Sequence, residues 1–207
     1  MFTCVIPTLW KSNRIIQLVE DLCSCDSVGE VIIIDNASKD GLNRTKVRLH
    51  PKLKILLMEE NIYVNPAWNL GVNEAKYDDI ALVNDDINFN SDVFTMFDDG
   101  RLKTLKGAVG MAIENYKLTE NGELRIVQRG GIHYGWGCMI LINKENYVAI
   151  PDDLLIWCGD NWMQKNMPVF TLYGLKITTE MSTTSRGFNN ISHKDSSIFN
   201  TKYNKRM

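Results

Sequence analysis

The chain has 207 residues, 44% of them apolar and 23% charged, with a formal net charge of −2. That length and composition suit one soluble α/β domain with a sizeable core, and the near-balanced charge excludes an overall nucleic-acid or membrane footprint. Five cysteines with no Cys-x-x-Cys pair argue against a disulfide framework or a thiolate zinc site; with no leader-like N-terminus and no membrane-length apolar run, a reducing cytoplasm is the expected location.

Phe2-Thr3-Cys4-Val5-Ile6 reads as a buried strand ended by Pro7-Thr8, because proline lacks the donor that a ladder needs. Ser12 or Asn13 can cap a helix that carries Ile15, Leu18, Val19 and Leu22 at helical spacing. Val31-Ile32-Ile33-Ile34 is a second strand, running into Asp35-Asn36-Ala37-Ser38-Lys39-Asp40-Gly41. Strand, helix and strand form one right-handed parallel βαβ unit. Lys54-Ile55-Leu56-Leu57-Met58 is a third strand. Asn61, Asn65 and Asn69 follow four apart, with Pro66 suited to a first helical turn and Gly71 close behind. Their amides could line a ligand pocket or serve as caps.

Ile80-Ala81-Leu82-Val83 is the fourth strand and runs straight into Asn84-Asp85-Asp86. A strand buried on both faces that ends in carboxylates puts them where open α/β sheets bind ligands. A hard divalent cation takes one or two carboxylates plus substrate phosphate oxygens. The same triplet also suits a polar turn. Beyond it, Ser91 to Phe97 reads as a short helix and Ala108 to Ile113 as a strand. Asn121-Gly122 predicts a hairpin between Tyr116-Lys117-Leu118 and Leu124-Arg125-Ile126-Val127, a small β annex that breaks the βαβ rhythm.

The segment from Gly130 to Gly137 contains His133, Tyr134 and Trp136 and lacks phosphate-loop spacing. It suits either a flat ligand against backbone and rings or a tight turn with core aromatics. Cys138 to Ile142 is another buried strand. Asp160 lies between Trp157 and Trp162, where burial would raise its pKa and make it a useful base; a helix cap is the alternative. Two late strands cover residues 169–172 and 176–179, and a polar tail from Ser182 contains His193. Arg101, Lys103 and Lys106 form one local basic cluster; Lys202, Lys205 and Arg206 form another.

Taken in this order, the motifs resemble those of the GT-A glycosyltransferases, nearest the family 2 type. Pro7-Thr8 stands after the first strand, Asp35 to Gly41 after the second, and Asn61 to Gly71 at the helix start. Asn84-Asp85-Asp86 matches the Asp-x-Asp motif or its Asn-x-Asp variant. Asp160 is the late acidic residue, and His193, with Ser196-Ser197 behind it, is the C-terminal histidine. Trp68 stands where an Arg is common, and Gly159 where a Glu is usual.

The resemblance implies a single GT-A (Rossmann-like) α/β domain over residues 1–207, with a mostly parallel central sheet flanked by helices. Residues 1–90 would be the nucleotide-binding half, 91–181 the acceptor-side half, and 182–207 a tail folding back on the site. It implies an inverting enzyme that moves a sugar from a nucleoside-diphosphate sugar, UDP-sugar first, to an acceptor hydroxyl. In that reading Pro7, Thr8, Asp35, Asn61, Asn65, Asn69, Asn84 and Asp85 bind the nucleotide sugar. Asp86 and His193 hold Mn²⁺ or Mg²⁺, Asp160 is the base, and Tyr134 and Trp136 stack on a sugar. A glycan is the expected acceptor. A hydroxymethylated pyrimidine in DNA, as for viral-type enzymes, is the alternative. A nucleotidyltransferase or a non-catalytic nucleotide-sugar binder is a further one, although the first of these would need glycines that residues 7–13 lack.

Overall fold

A computed structural model describes residues 1–37, 44–180 and 187–204; Ser38 to Gly41 of the second strand's motif and the start of the polar tail lie outside the described residues. The first apolar runs form β1 (Phe2–Thr8), β2 (Val28–Asp35), β3 (Leu53–Leu57) and β4 (Asp79–Val83). Helix α1 (Arg14–Ser24) joins β1 to β2, and α2 (Val64–Glu74) joins β3 to β4. The chain continues through β5 (Ile87–Phe89), α3 (Arg101–Leu105), β6 (Ala108–Met111), β7 (Arg125–Arg129) and β8 (Met139–Asn143). It ends with α4 (Gly159–Asn166), β9 (Val169–Tyr173), β10 (Ile177–Thr179) and α5 (Asn189–Ile198).

Eight strands form one sheet in the order β3-β2-β1-β4-β8-β6-β9-β7, and β5 pairs with β10 in a second, two-stranded sheet. The first four strands are parallel, β8 runs antiparallel to β4 and β6, and β9 is parallel to β6. Sheet growth therefore reverses between β1 and β4: the chain first builds outward to β3, then returns to the other side of β1.

The period-2 alternation of the strands sorts side chains to two cores. Cys4, Ile6, Ile33, Ala81, Val83 and Leu141 face the α1 side, with Ile15, Leu18 and Leu22. Val5, Ile32, Ile34, Ile80, Leu82 and Ile140 face the α2 side, with Ala67, Trp68 and Val72. Both faces are covered, as continuous apolar strands require. The expected helix-on-sheet packing of α1 is observed, with Ser12 Oγ accepting the Arg14 N–H at 3.1 Å. Pro7 does not end β1, which stays paired with β2 as far as Thr8 opposite Asp35; pairing with β4 stops at Val5, so the missing proline donor breaks no bond on that side.

The expected hairpin at Asn121-Gly122 is absent. Residues 113–117 form a 3₁₀ turn, and β7 pairs antiparallel with β9 instead. Gly122 N–H and Asn121 Oδ1 dock on Gly174 O and Lys176 N–H, both at 2.8 Å. The turn signal is local, but the pairing partner is chosen by sheet-edge burial, which a dipeptide cannot report. The small sheet is β5 with β10, paired antiparallel with Ile177 opposite Phe89 and Thr179 opposite Ile87.

Gly71 marks the closest approach of α2 to the sheet: a Cβ there would lie 2.1 Å from Val5 Cγ1. We expect Gly71→Ala to destabilise the protein by about 1–3 kcal/mol, the usual cost of overpacking, in urea-unfolding measurements. Adding Val5→Ala should recover part of the loss; no loss in Gly71→Ala alone would show that the contact yields elsewhere.

Candidate active site

The carboxyl ends of β1, β2, β4 and β6, and the entry into β8, meet at one edge of the sheet. A cleft of about 260 Å³ opens there, at the point where strand order reverses. The first half of the chain lines it with Pro7, Thr8, Asn36, Asn61, Tyr63 and residues 84–86. The second half adds Tyr116, Gly135, Gly137, Cys138, residues 156–158, Asp160 and Phe188. Asp85, Asp86 and Asp160 all line it, and among its described lining residues there is no Lys, Arg or His.

A buried hydrogen bond from Thr8 Oγ1 to Asp85 Oδ2, 2.6 Å long, ties the end of β1 to the loop after β4. Thr8 Oγ1 also accepts the Trp10 N–H at 2.8 Å, which fixes its rotor. Asp86 is held from behind, because its carbonyl accepts the Glu180 N–H at 3.3 Å and the β5–β10 ladder begins at the next residue. Asn84 anchors the same loop by donating its N–H to Cys138 O at 3.0 Å. Asn61 lines the cleft, and its Oδ1 accepts the Tyr63 N–H at 2.8 Å.

Asp35 is fully buried and does not reach the cleft. Its Oδ1 accepts the Ala37 N–H at 3.0 Å, and its other oxygen pairs with Arg44. Its neighbour Asn36 takes the lining position, with its amide engaged by Tyr63 O and the Ile62 N–H. Asn65 and Asn69 face away from the cleft. Asn65 Nδ2 donates to Leu154 O and Trp157 O at 3.1 and 3.3 Å. Asn69 holds the segment beyond β8, bonding Ile150 O, the Ile150 N–H and the Tyr147 hydroxyl.

Residues 156–158 of the lining belong to a strap, residues 154–158, that leads into α4. Asp160 sits in the first turn of α4, and its Oδ1 accepts the Asn161 N–H at 2.9 Å. Burial pushes the Asp160 carboxyl above the usual carboxylate range, against the pull of the Asn161 and Asp160 N–H groups. Gly137 makes room for it: a Cβ there would lie 2.7 Å from Asp160 Cβ and 2.9 Å from Oδ2. Tyr116 also lines the cleft, its hydroxyl donating toward Gly135 O and Cys138 Sγ. Its phenol is pushed far up, first by burial, then by Cys138, with Asp86 and Asp160 both adding. Phe188 closes the mouth, edge-on to Tyr63 at 5.9 Å with Lys11 Nζ 5.5 Å from its ring centre.

The backbone here is held in costly conformations. Trp10, Tyr63 and Cys158 have φ of 59°, 66° and 63°, and each adjoins or lines the cleft. Such sparsely populated positive-φ conformations cost about 1–3 kcal/mol for non-glycine residues and persist only where the surroundings impose them.

The structure thus brings together Pro7, Thr8, Asn61, Asn84, Asp85, Asp86 and Asp160. It leaves six expected site residues outside the lining: Asp35, Asn65, Asn69, Tyr134, Trp136 and His193. Trp136 is a core residue, 0% exposed, with its indole N–H on Phe170 O at 2.9 Å and its ring against Gly110. Tyr134 is 86% exposed beside the cleft rather than in it. His193 is exposed on α5, and no group of three metal-ligating side chains occurs among the described residues. Tyr116, Cys138, Phe188 and the strap were not expected. Cys138 carried only a burial signal in the sequence, and the others carried none, because each reaches the cleft through contacts across the sheet.

Comparison with known proteins agrees with this geometry. The profile described as "Glycosyl transferase family 2" matches residues 3–147. No curated protein sequence matches the chain. Among solved structures, TarS 1-349 of S. aureus aligns at 15% identity and TM-score 0.56, covering 96% of this chain and 65% of that one. The same fragment in complex with UDP aligns at 16% identity and TM-score 0.57, over 82% of this chain and 57% of that one. GalNAc-T7 with UDP, GalNAc and Mn²⁺ aligns at 10% identity and TM-score 0.65, over 86% of this chain and 43% of that one. The chain spans less than two thirds of the length of each, and at these identities the likeness is one of fold, a GT-A sheet. With 145 of its residues inside the family profile, from 3 to 147, the chain belongs to glycosyl transferase family 2.

Proposed function

We propose that this protein is an inverting glycosyltransferase that moves a sugar from a UDP-sugar to a hydroxyl of a glycan acceptor. The observation that carries the reading is that Asp86, just after β4, and Asp160, at the start of α4, line one cleft at the carboxyl ends of the parallel strands. UDP and UDP-GlcNAc complexes of TarS, and the UDP, GalNAc and Mn²⁺ complex of GalNAc-T7, support a nucleotide-sugar donor.

The donor's diphosphate needs positive charge, and the described lining supplies none. That favours a divalent cation, Mn²⁺ or Mg²⁺, held by Asp86 together with diphosphate oxygens, a donor set that hard cations accept. Bound there, it would neutralise charge developing on the leaving diphosphate. Asp85, committed to Thr8, would orient the nucleoside rather than the cation. His193 would join the cation only if α5 turns toward the cleft on donor binding.

Asp160 is the base. Its Oδ1 is occupied by the Asn161 N–H, so Oδ2, beside Gly137, takes the acceptor hydroxyl's proton. The acceptor oxygen then bonds to the anomeric carbon as the bond from that carbon to the diphosphate breaks on the opposite face. One displacement inverts the anomeric centre, as in single-displacement glycosidases. Three of the basic residues that would favour a DNA acceptor already have carboxylate partners, Arg101 with Asp99, Lys103 with Glu145 and Lys202 with Asp153, while Lys205 and Arg206 lie outside the described residues. A cytoplasmic location belongs to the same reading, supported by five free cysteines; no described helix is long and apolar enough to cross a membrane.

Three outcomes follow. In calorimetry with UDP and Mn²⁺, Asp86→Ala should lose the metal-dependent part of the affinity and leave binding in EDTA unchanged; equal affinity with and without the substitution in Mn²⁺ would refute the assignment. Asp160→Asn should keep donor affinity while transfer falls by about 10²–10⁴-fold, the usual worth of a general base. The third outcome is a pH effect. With its folded pKa raised, Asp160 contributes stability below its unfolded pKa and loses it as pH rises through the folded one. Asp160→Asn should therefore gain in melting temperature relative to the parent between acid and neutral pH, and the parent's transfer rate should decline on the acid side above the ordinary carboxylate pKa of about 3.9. A melting difference independent of pH would contradict this.

A further inference from the structure

The strap that forms the acceptor-side wall has no regular secondary structure over residues 154–158, yet it must hold Ile156, Trp157 and Cys158 against the cleft and deliver Asp160 into it. Three successive backbone donors of the strap, the N–H groups of Leu155, Ile156 and Trp157, converge on one oxygen, Oδ2 of Asp195, at 3.2, 2.8 and 2.9 Å. Asp195 comes from α5, about forty residues later in the chain, and is 0% exposed. Successive N–H groups pointing at one centre make an anion-binding concavity, and bonds to an ionised acceptor are the stronger kind. The strap is pinned from its other side by Asn65, whose own N–H also donates to Leu155 O at 2.9 Å. The end of the strap, Cys158, is forced to φ 63° immediately before α4 begins.

We propose that Asp195 is a positioning residue for sugar transfer: its carboxylate fills the strap's anion nest and thereby sets where the α4 N-terminus, and with it Asp160, stands in the cleft. This rests on the reading of Asp160 as the base. Asp195 touches neither the cleft nor the donor side, so its effect runs through the strap alone. What it requires is an acceptor oxygen at the point where the three N–H groups meet. Its second oxygen, Oδ1, is buried with no hydrogen-bond partner among the described residues, so an amide nitrogen could stand in its place. Geometry, more than charge, is therefore the expected requirement.

The test compares the full-length protein with Asp195→Ala and Asp195→Asn in three measurements: UDP–Mn²⁺ affinity, transfer kinetics, and amide hydrogen exchange. Asp195→Ala should keep donor affinity within about twofold and lose about 10²-fold in kcat, the scale of a 1 Å misplacement of a reacting group. Exchange should accelerate at residues 155–157 while β1, β2 and β4 keep their protection. Asp195→Asn should restore both kcat and protection to near the parent's. Equal kcat in Asp195→Ala would overturn the proposal. So would a parallel fall of donor affinity and sheet protection, which would make Asp195 a general stability residue. If the parent itself binds UDP and transfers no sugar, it is the glycosyltransferase reading that fails, a result separate from either of these.

Discussion

The hydrogen bond between Thr8 and Asp85 closes the sheet's switch point, and the site depends on it. β1 and β4 are neighbours, but their ladder ends at Val5, so beyond it the two chain ends would be free to splay apart. A buried hydroxyl–carboxylate bond of 2.6 Å spans that gap. Losing such a bond to a charged group costs about 1.5–3 kcal/mol. The bond also turns the Asp85 carboxylate toward β1, while its neighbour Asp86 lines the same cleft.

The two parts of the cleft are built on different principles. The part around Thr8 and Asp85 grows from strand ends, which a parallel ladder places without help. The strap before α4 is irregular chain, and its order comes from side chains that satisfy its backbone. Asn65, Asn69 and Asp195 are all used this way, each far in sequence from what it holds. Buried irregular backbone must find such partners or pay the full desolvation of its polar groups. The cleft is thus a rigid half facing a half that is rigid only while α2 and α5 hold it.

This difference explains how far the site was legible in the sequence. The four-residue apolar runs, the βαβ spacing and the carboxylates at strand ends are local signals, and the structure places Thr8, Asp85, Asp86 and Asp160 together at the cleft. The amides were harder to read. Asn65 and Asn69 do share a helix face, but that face looks at the strap and the segment after β8. Asn-Gly at 121–122 announced a hairpin that does not form, since β7 completes the sheet beside β9, across more than forty residues. In the tail, His193 drew attention for its chemistry. On a helix, residues two apart point to nearly opposite sides, so the turn of α5 that buries Asp195 necessarily exposes His193. Trp136 shows the same limit: an aromatic among glycines can serve a ligand or a core, and only the packing against Gly110 decides.

A structure of the protein with UDP and Mn²⁺ bound tests the central claim most directly. The account predicts the nucleotide in the cleft between the Thr8 side and the strap, with the metal on the Asp86 carboxylate and the diphosphate, and with Asp160 facing the space beyond the diphosphate where an acceptor would approach. A nucleotide bound elsewhere, or one bound in this cleft with its metal away from Asp86, would contradict it.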